Sequence, residues 1–166
     1  MTASTPPYAK AQPTTVEGGR ISFSLLSLFR AFGGYGSGLL YDLGLHSGQE
    51  LILMQLYDRD GQTQTELQLA LGTDHSTISR AVERMETSGL IVRTGSVRDR
   101  RAKLVTLTSR GTALGGPLQK MWDELEYLGR LAIPAGKRTE FVSTVNELER
   151  IFSDARKRRR QTDDQN

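Results

Sequence analysis

From Ile21 onward, apolar residues recur at helical spacing. Ile21, Leu25, Leu28, Phe32, Tyr35 and Leu39 follow one another at intervals of 4, 3, 4, 3 and 4. That stripe is close to the a/d seam of packed helices and predicts a helix over residues 21–43. Gly33, Gly34, Gly36 and Gly38 interrupt it. At roughly 0.8–1 kcal/mol each against alanine, the four cost about 3–4 kcal/mol in a helix interior. The run is therefore expected to kink or break there, or to admit the close approach of another backbone. Two later stripes repeat the spacing: Leu114, Leu118, Met121, Leu125 and Leu128, then Phe141, Val145, Leu148 and Phe152. Pro117 after Gly115-Gly116 predicts an irregular start to the first of these, and Pro134 with Gly136 separates the two.

Between the outer stripes the elements are short and well punctuated. Ser47-Gly48-Gln49-Glu50 has the form of a capping box and predicts a helix running to about Tyr57, followed by a turn over 58–62. Thr63-Gln64-Thr65-Glu66 is a second box, opening a short helix that carries Leu67, Ala70 and Leu71 and stops at Gly72. Asp74 can cap the next helix through the amide near Thr77. Its buried face is Ile78, Val82 and Met85, and Gly89 follows its end. Then come two strand-like runs, LIVRT and AKLVTLT, and Thr108 as the cap of a further helix. No strand alternates with helices in βαβ order. The fold class is mainly α with a small β-hairpin wing.

Two short helices joined by a tight turn make a helix-turn-helix, and the hairpin makes it winged. The start of the second helix carries His75, Ser76, Thr77, Ser79 and Arg80, with Arg84 one turn later. Small and donor-bearing residues there can reach base edges in a major groove, while the helix N-terminus offers amides to phosphate. Gly95-Ser96 can supply the hairpin turn. The loop between the strands then gathers Arg98, Asp99, Arg100 and Arg101, which a turn does not require. A wing beside a recognition helix lies near the minor groove, where arginine is favoured by the negative potential. Asp99 is placed to hold the direction of a neighbouring guanidinium.

Composition narrows the options. The chain has 166 residues, 37% of them hydrophobic and 25% charged, with a formal net charge of +3 and no cysteine. A charge this mild does not establish nucleic-acid binding; its placement matters more. Without cysteine, disulfides, thiolate metal sites, iron–sulfur clusters and thiol sensing are excluded. His46 and His75 are the only histidines, so a metal site would have to rest on carboxylates, and none is expected. No P-loop is present and no cofactor is expected. An enzyme is not the expectation. Residues 1–20 read as a flexible lead-in without the order of a signal peptide. With no apolar run near about 18 residues, no membrane span is expected and the cytoplasm is the default location.

Residues 44–114 resemble the multiple-antibiotic-resistance regulator (MarR) family of bacterial winged-helix repressors. The segments STISRAVERMETSGLI and DRRAKLVTLTSRG carry the resemblance. It implies a homodimer built through N- and C-terminal helices, bound to a pseudo-palindromic double-stranded DNA operator. It also implies that Arg80 contacts a base or phosphate and that His75, Ser76 and Thr77 enter the major groove. Arg101 would be the wing-tip arginine in the minor groove, oriented by Asp99, with Arg98 and Arg100 on the backbone. Many such proteins release DNA when a small, often phenolic, ligand enters a cleft between the dimer helices and the winged domain. Phe32, Tyr41, His46, Met54, Tyr57 and Trp122 are the candidates to line one here, each with core or loop packing as the alternative. The glycine cluster and the basic run Arg156-Lys157-Arg158-Arg159-Arg160 depart from the family pattern.

The expected organisation is a lead-in (1–20), a dimerisation helix (21–43), a winged helix-turn-helix domain (44–110), dimerisation helices (111–157) and a basic, polar tail (158–166). The alternatives are a ligand-independent regulator or activator, and a winged helix that binds another protein. Four arginines between Arg93 and Arg101 argue against the last, because protein interfaces deplete charge at their centre.

Overall fold

The computed structural model describes residues 18–95 and 103–163. The chain divides into two compact units, Met1–Met121 and Trp122–Asn166.

The first unit begins with α1 (Arg20–Asp42). The expected break at the glycines does not occur: the helix runs continuously through Gly33, Gly34, Gly36 and Gly38. A Cβ built at any of the four meets nothing within 4 Å among the described residues. A loop with Gly44 and Gly48 at positive φ leads to α2 (Gln49–Asp58). The capping box expected at Ser47 is not formed. Gly48 occupies the N-cap in the left-handed region, and no side chain caps from that position. The Ser47 hydroxyl instead meets that of Ser37 at 3.0 Å, and the Gln49 amide oxygen accepts from the His46 backbone at 2.9 Å.

Residues 58–62 do not form the simple turn the sequence suggests. Gln62–Thr63 is a short strand, β1, which flows directly into α3 (Gln64–Leu71). The buried Gln62 side chain sutures this corner: its amide nitrogen donates to the Gln55 and Arg59 carbonyls, both at 2.7 Å. The second predicted capping box forms in full. Thr63 Oγ1 accepts from the Glu66 amide, and Glu66 accepts from the Thr63 amide at 2.7 Å. Gly72, at φ 59°, ends the helix.

The recognition-type helix α4 (His75–Thr87) buries Ile78, Ala81, Val82 and Met85. Gly89 at φ 70° turns the chain into β2 (Ile91–Gly95), which pairs antiparallel with β3 (Lys103–Leu107). Gly95 is therefore a strand residue, opposite Lys103, and not part of the turn. β3 also pairs with β1, giving the order β1-β3-β2. Thr108 caps the short α5 (Ser109–Ala113), its Oγ1 accepting from Gly111 N at 3.1 Å. Gly111 is buried so close to the strand that a Cβ would collide with the Leu90 carbonyl.

Helix α6 (Gly115–Ala132) follows a break at Leu114 and buries Leu118 and Met121. The core is one cluster: Leu53, Leu67, Val82, Met85 and Val105 are wholly excluded from solvent, and Ile52, Leu56, Leu90, Ile91 and Leu118 nearly so.

The second unit holds the end of α6, a 3-10 turn (Ala135–Lys137) and α7 (Arg138–Asp163). Arg138 Nε and Nη2 donate to the Ile133 and Arg130 carbonyls at 3.0 and 3.2 Å, covering the open end of α6. Part of the expected tail, from Arg158 to Asp163, is helical. Its arginines are good helix formers and suit the negative end of the helix dipole.

Candidate nucleic-acid interface

The 3.6-residue period divides α4 into two faces. Ile78, Ala81, Val82 and Met85 enter the core. His75, Ser76, Thr77, Arg80 and Arg84 are exposed, and Ser79 is half-buried at the margin. Helix α3 and strand β2 pack against α4, so its exposed face has a fixed direction.

Its N-terminus is wired through Asp74. The carboxylate accepts from the Thr77 amide (2.9 Å), the Ser76 hydroxyl (2.6 Å) and the Thr77 hydroxyl (2.8 Å). The Ser76 hydroxyl, then the Thr77 amide and hydroxyl, hold the Asp74 carboxyl well below the usual carboxylate range. Asp74 is thus a cap that stays ionised. The Ser76 and Thr77 hydroxyl protons are spent on it, which leaves their oxygens as acceptors. Arg80 folds back onto Ser76, with Nε donating to the backbone oxygen at 3.2 Å and Nη2 to Oγ at 3.3 Å. The remaining guanidinium donors face outward, the fork that suits guanine or phosphate.

Arg98, Asp99, Arg100 and Arg101 lie outside the described residues, as does the turn expected at Ser96. The root of the wing is described. Arg93, counted above with the wing arginines, pairs with Glu86: Nη2 to Oε2 is 2.6 Å. Sequence inspection missed this pair because no periodic rule connects a helix residue to a strand residue seven positions on.

An open cleft of about 560 Å³ runs beside α4, lined by Gly44, His46, Gln49, Arg80, Glu83, Arg84, Thr87 and Ser88. Of the six residues proposed to line a ligand cleft, it includes His46 alone. Phe32 and Tyr41 stand exposed on α1, and Met54 is on the outer side of α2. Tyr57 is half-buried, and its hydroxyl donates to the Gly111 carbonyl at 2.7 Å, while burial pushes its own pKa up. Trp122 belongs to the second unit, where its indole nitrogen is buried without a partner among the described residues.

Among the described residues no three His, Asp or Glu side chains are grouped to hold a metal ion. No helix among them is long and apolar enough to cross a membrane.

Residues 43–102 match the model of the MarR family. A MarR transcriptional regulator from Methanosarcina mazei Go1 superposes with a TM-score of 0.67 at 29% identity, covering 83% of this chain and 97% of that one. The transcriptional regulator SlyA gives 0.72 at 18% identity, over 81% and 95% of the two chains. Reduced AbfR bound to DNA gives 0.66 at 22%, over 83% and 92%. These two likenesses establish the shared fold. Residues 43–102, which hold the capped helix-turn-helix and the root of the wing, are thus similar to the MarR family, and the chain shares the fold of the MarR transcriptional regulator from Methanosarcina mazei Go1.

Proposed function

We propose that this protein is a homodimeric repressor that binds a pseudo-palindromic DNA operator. The observation that carries the reading is the outward face of α4, where Thr77, Arg80 and Arg84 stand exposed on a helix whose other face is locked in the core. The DNA carried by AbfR, a protein of the same fold, supports it. Arg101, with Asp99 to orient it, is the proposed minor-groove contact, and Arg98 and Arg100 are proposed backbone contacts. His75, Ser76 and Ser79 complete the reading surface.

The homodimer reading is supported by apolar side chains that a single chain leaves in water. Ile21 is 70% exposed and Phe29 74% on α1, and Phe152 is 57% exposed on α7. Residues 21–43 and 111–157 are the proposed dimerisation segments. The cleft beside α4 is the proposed entry for a small aromatic acid that releases DNA, with His46 and Arg84 facing it.

The test is an electrophoretic mobility shift with the DNA upstream of the protein's own gene, at two salt concentrations, with and without salicylate. Each phosphate contact should contribute about −0.9 to the slope of log K against log salt. Arg101→Ala should weaken binding at every sequence, and Arg80→Ala should also relax sequence preference. A protein that leaves both this DNA and bulk genomic DNA unshifted at low salt is not a DNA-binding regulator.

A further inference from the structure

A winged helix reads DNA with two elements, a helix and a hairpin, that project from one core. Helix α4 and the β2–β3 hairpin are joined only by Ser88, Gly89 and Leu90. Both must meet one duplex at once, so the angle between them matters as much as the side chains they carry.

Outside the shared core, one side chain on α4 reaches across to the hairpin. Glu86, in the last turn of α4, accepts from Arg93 twice, from the backbone N–H at 3.0 Å and from Nε at 2.9 Å, and Nη2 lies 2.6 Å from Oε2 as an ion pair. Arg93 sits in the middle of β2, opposite Val105 of β3, so a grip on it is a grip on the whole hairpin. Two hydrogen bonds and the ion pair together fix the carboxylate in distance and direction, which a single-point ion pair does not. The two side chains are only 27% and 32% exposed, so the pair is partly sheltered from solvent. The same end of α4 is held by Arg110, whose Nη1 donates to the Ser88 carbonyl at 2.6 Å.

We propose that Glu86 is a positioning residue for DNA recognition: by holding Arg93 it sets the wing at a fixed angle to α4, so that tip and helix engage the same duplex together. The proposal rests on the DNA-binding reading above. It gives an acid near a DNA-facing surface a role opposite to the usual one. A carboxylate there repels phosphate, so its removal from an ordinary surface tightens binding. Here its removal loosens specific binding, because the wing must be ordered anew on each encounter. The hairpin itself survives the loss, since β3 pairs along both β1 and β2.

The experiment compares wild type, Glu86→Ala, Glu86→Gln and the exchanged double variant Glu86→Arg/Arg93→Glu. Each is tested for affinity to the operator and to unrelated DNA, for hydroxyl-radical footprint and for thermal melting. Glu86→Ala is expected to lose roughly tenfold in operator affinity, the scale of a multi-pronged charged bond. It should keep or gain affinity for unrelated DNA and lose protection in the wing-covered groove while α4's protection persists. Glu86→Gln should fall between the two, and the exchanged variant should restore the wing footprint. The proposal is overturned if Glu86→Ala binds the operator as tightly as wild type with its footprint intact. It is equally overturned if both footprints fade together with the melting temperature, which would mark the pair as part of the fold alone. Wild-type protein that binds no DNA would sink the DNA reading itself, and this inference with it.

Discussion

The two units of the chain treat their apolar residues in opposite ways. In the first, the elements from α2 to the start of α6 share one core, and all the buried apolar side chains among the described residues lie between Leu40 and Met121. In the second, α7 carries as regular a stripe and buries none of it: Phe141 is 42% exposed, Val145 41% and Phe152 57%. The periodicity is alike, so the pattern alone does not say whether a helix is finished. What differs is the company. Around α4 the neighbouring elements arrive within a few residues along the chain, whereas α7 has only its own turn and the end of α6 in its unit. The homodimer proposed above would cover such a stripe.

The comparison can be broken most sharply in the core. Met85→Ala removes a side chain with no exposed surface and should cost about 2–5 kcal/mol, read as a lower midpoint in urea unfolding. If it unfolds nothing, the first unit is not the self-sufficient one. On the other side, Phe152→Asp should leave that midpoint nearly unchanged when monomers are compared. It should weaken self-association more than about tenfold, the scale of burying one large apolar side chain, and sedimentation velocity would show the shift. A wild-type chain that is already monomeric at micromolar concentration removes the reason for α7's exposed face.

A smaller effect sharpens the picture at α1. Because nothing among the described residues approaches Gly36, Gly36→Ala should stabilise the isolated helix surface by about 0.5–1 kcal/mol. If a second copy packs its backbone there, the same change will instead reduce association. One variant, examined by thermal melting and by sedimentation, reports which holds.

The smallest effect is electrostatic. The Thr63 backbone N–H, then Arg59 and the Thr63 hydroxyl, lower Glu66 from 4.5 to about 2. A depressed carboxylate stabilises the fold at pH above its unfolded value, and that contribution is lost as pH falls from about 4.5 toward 2. Wild type should therefore lose more melting temperature than Glu66→Gln across that window. Parallel curves would mean that the box contributes nothing through its charge.

Much of the winged unit was legible because its punctuation is chemical. Thr63, Asp74 and Thr108 each predict a cap from the residue type and its spacing, and each makes the predicted bond. The failures share a cause, which is that the deciding partner is distant or absent. Ser47 has the spacing of a cap, but Gly48 takes the N-cap position in a conformation open to glycine, and the serine turns to Ser37. β1 is two residues long, too short for any period, and exists because β3 lies beside it. The glycines of α1 promised a break on propensity alone, yet a helix of 23 residues absorbs them. The aromatic candidates for a ligand cleft were chosen by type alone, and they stay candidates. The cleft beside α4 draws instead on Gln49, Glu83, Thr87 and Ser88, polar residues with no signal of their own.

Helix α4 also bears on how such a protein diverges. Positions 78, 81, 82 and 85 answer to the core, while 76, 77, 80 and 84 answer to whatever lies outside. The two sets interleave along one helix, one buried and the other exposed. A lineage can therefore rewrite the outer set after a gene duplication while the inner set stays under unchanged selection for folding. Two descendants would then keep superposable backbones and stop competing for each other's target.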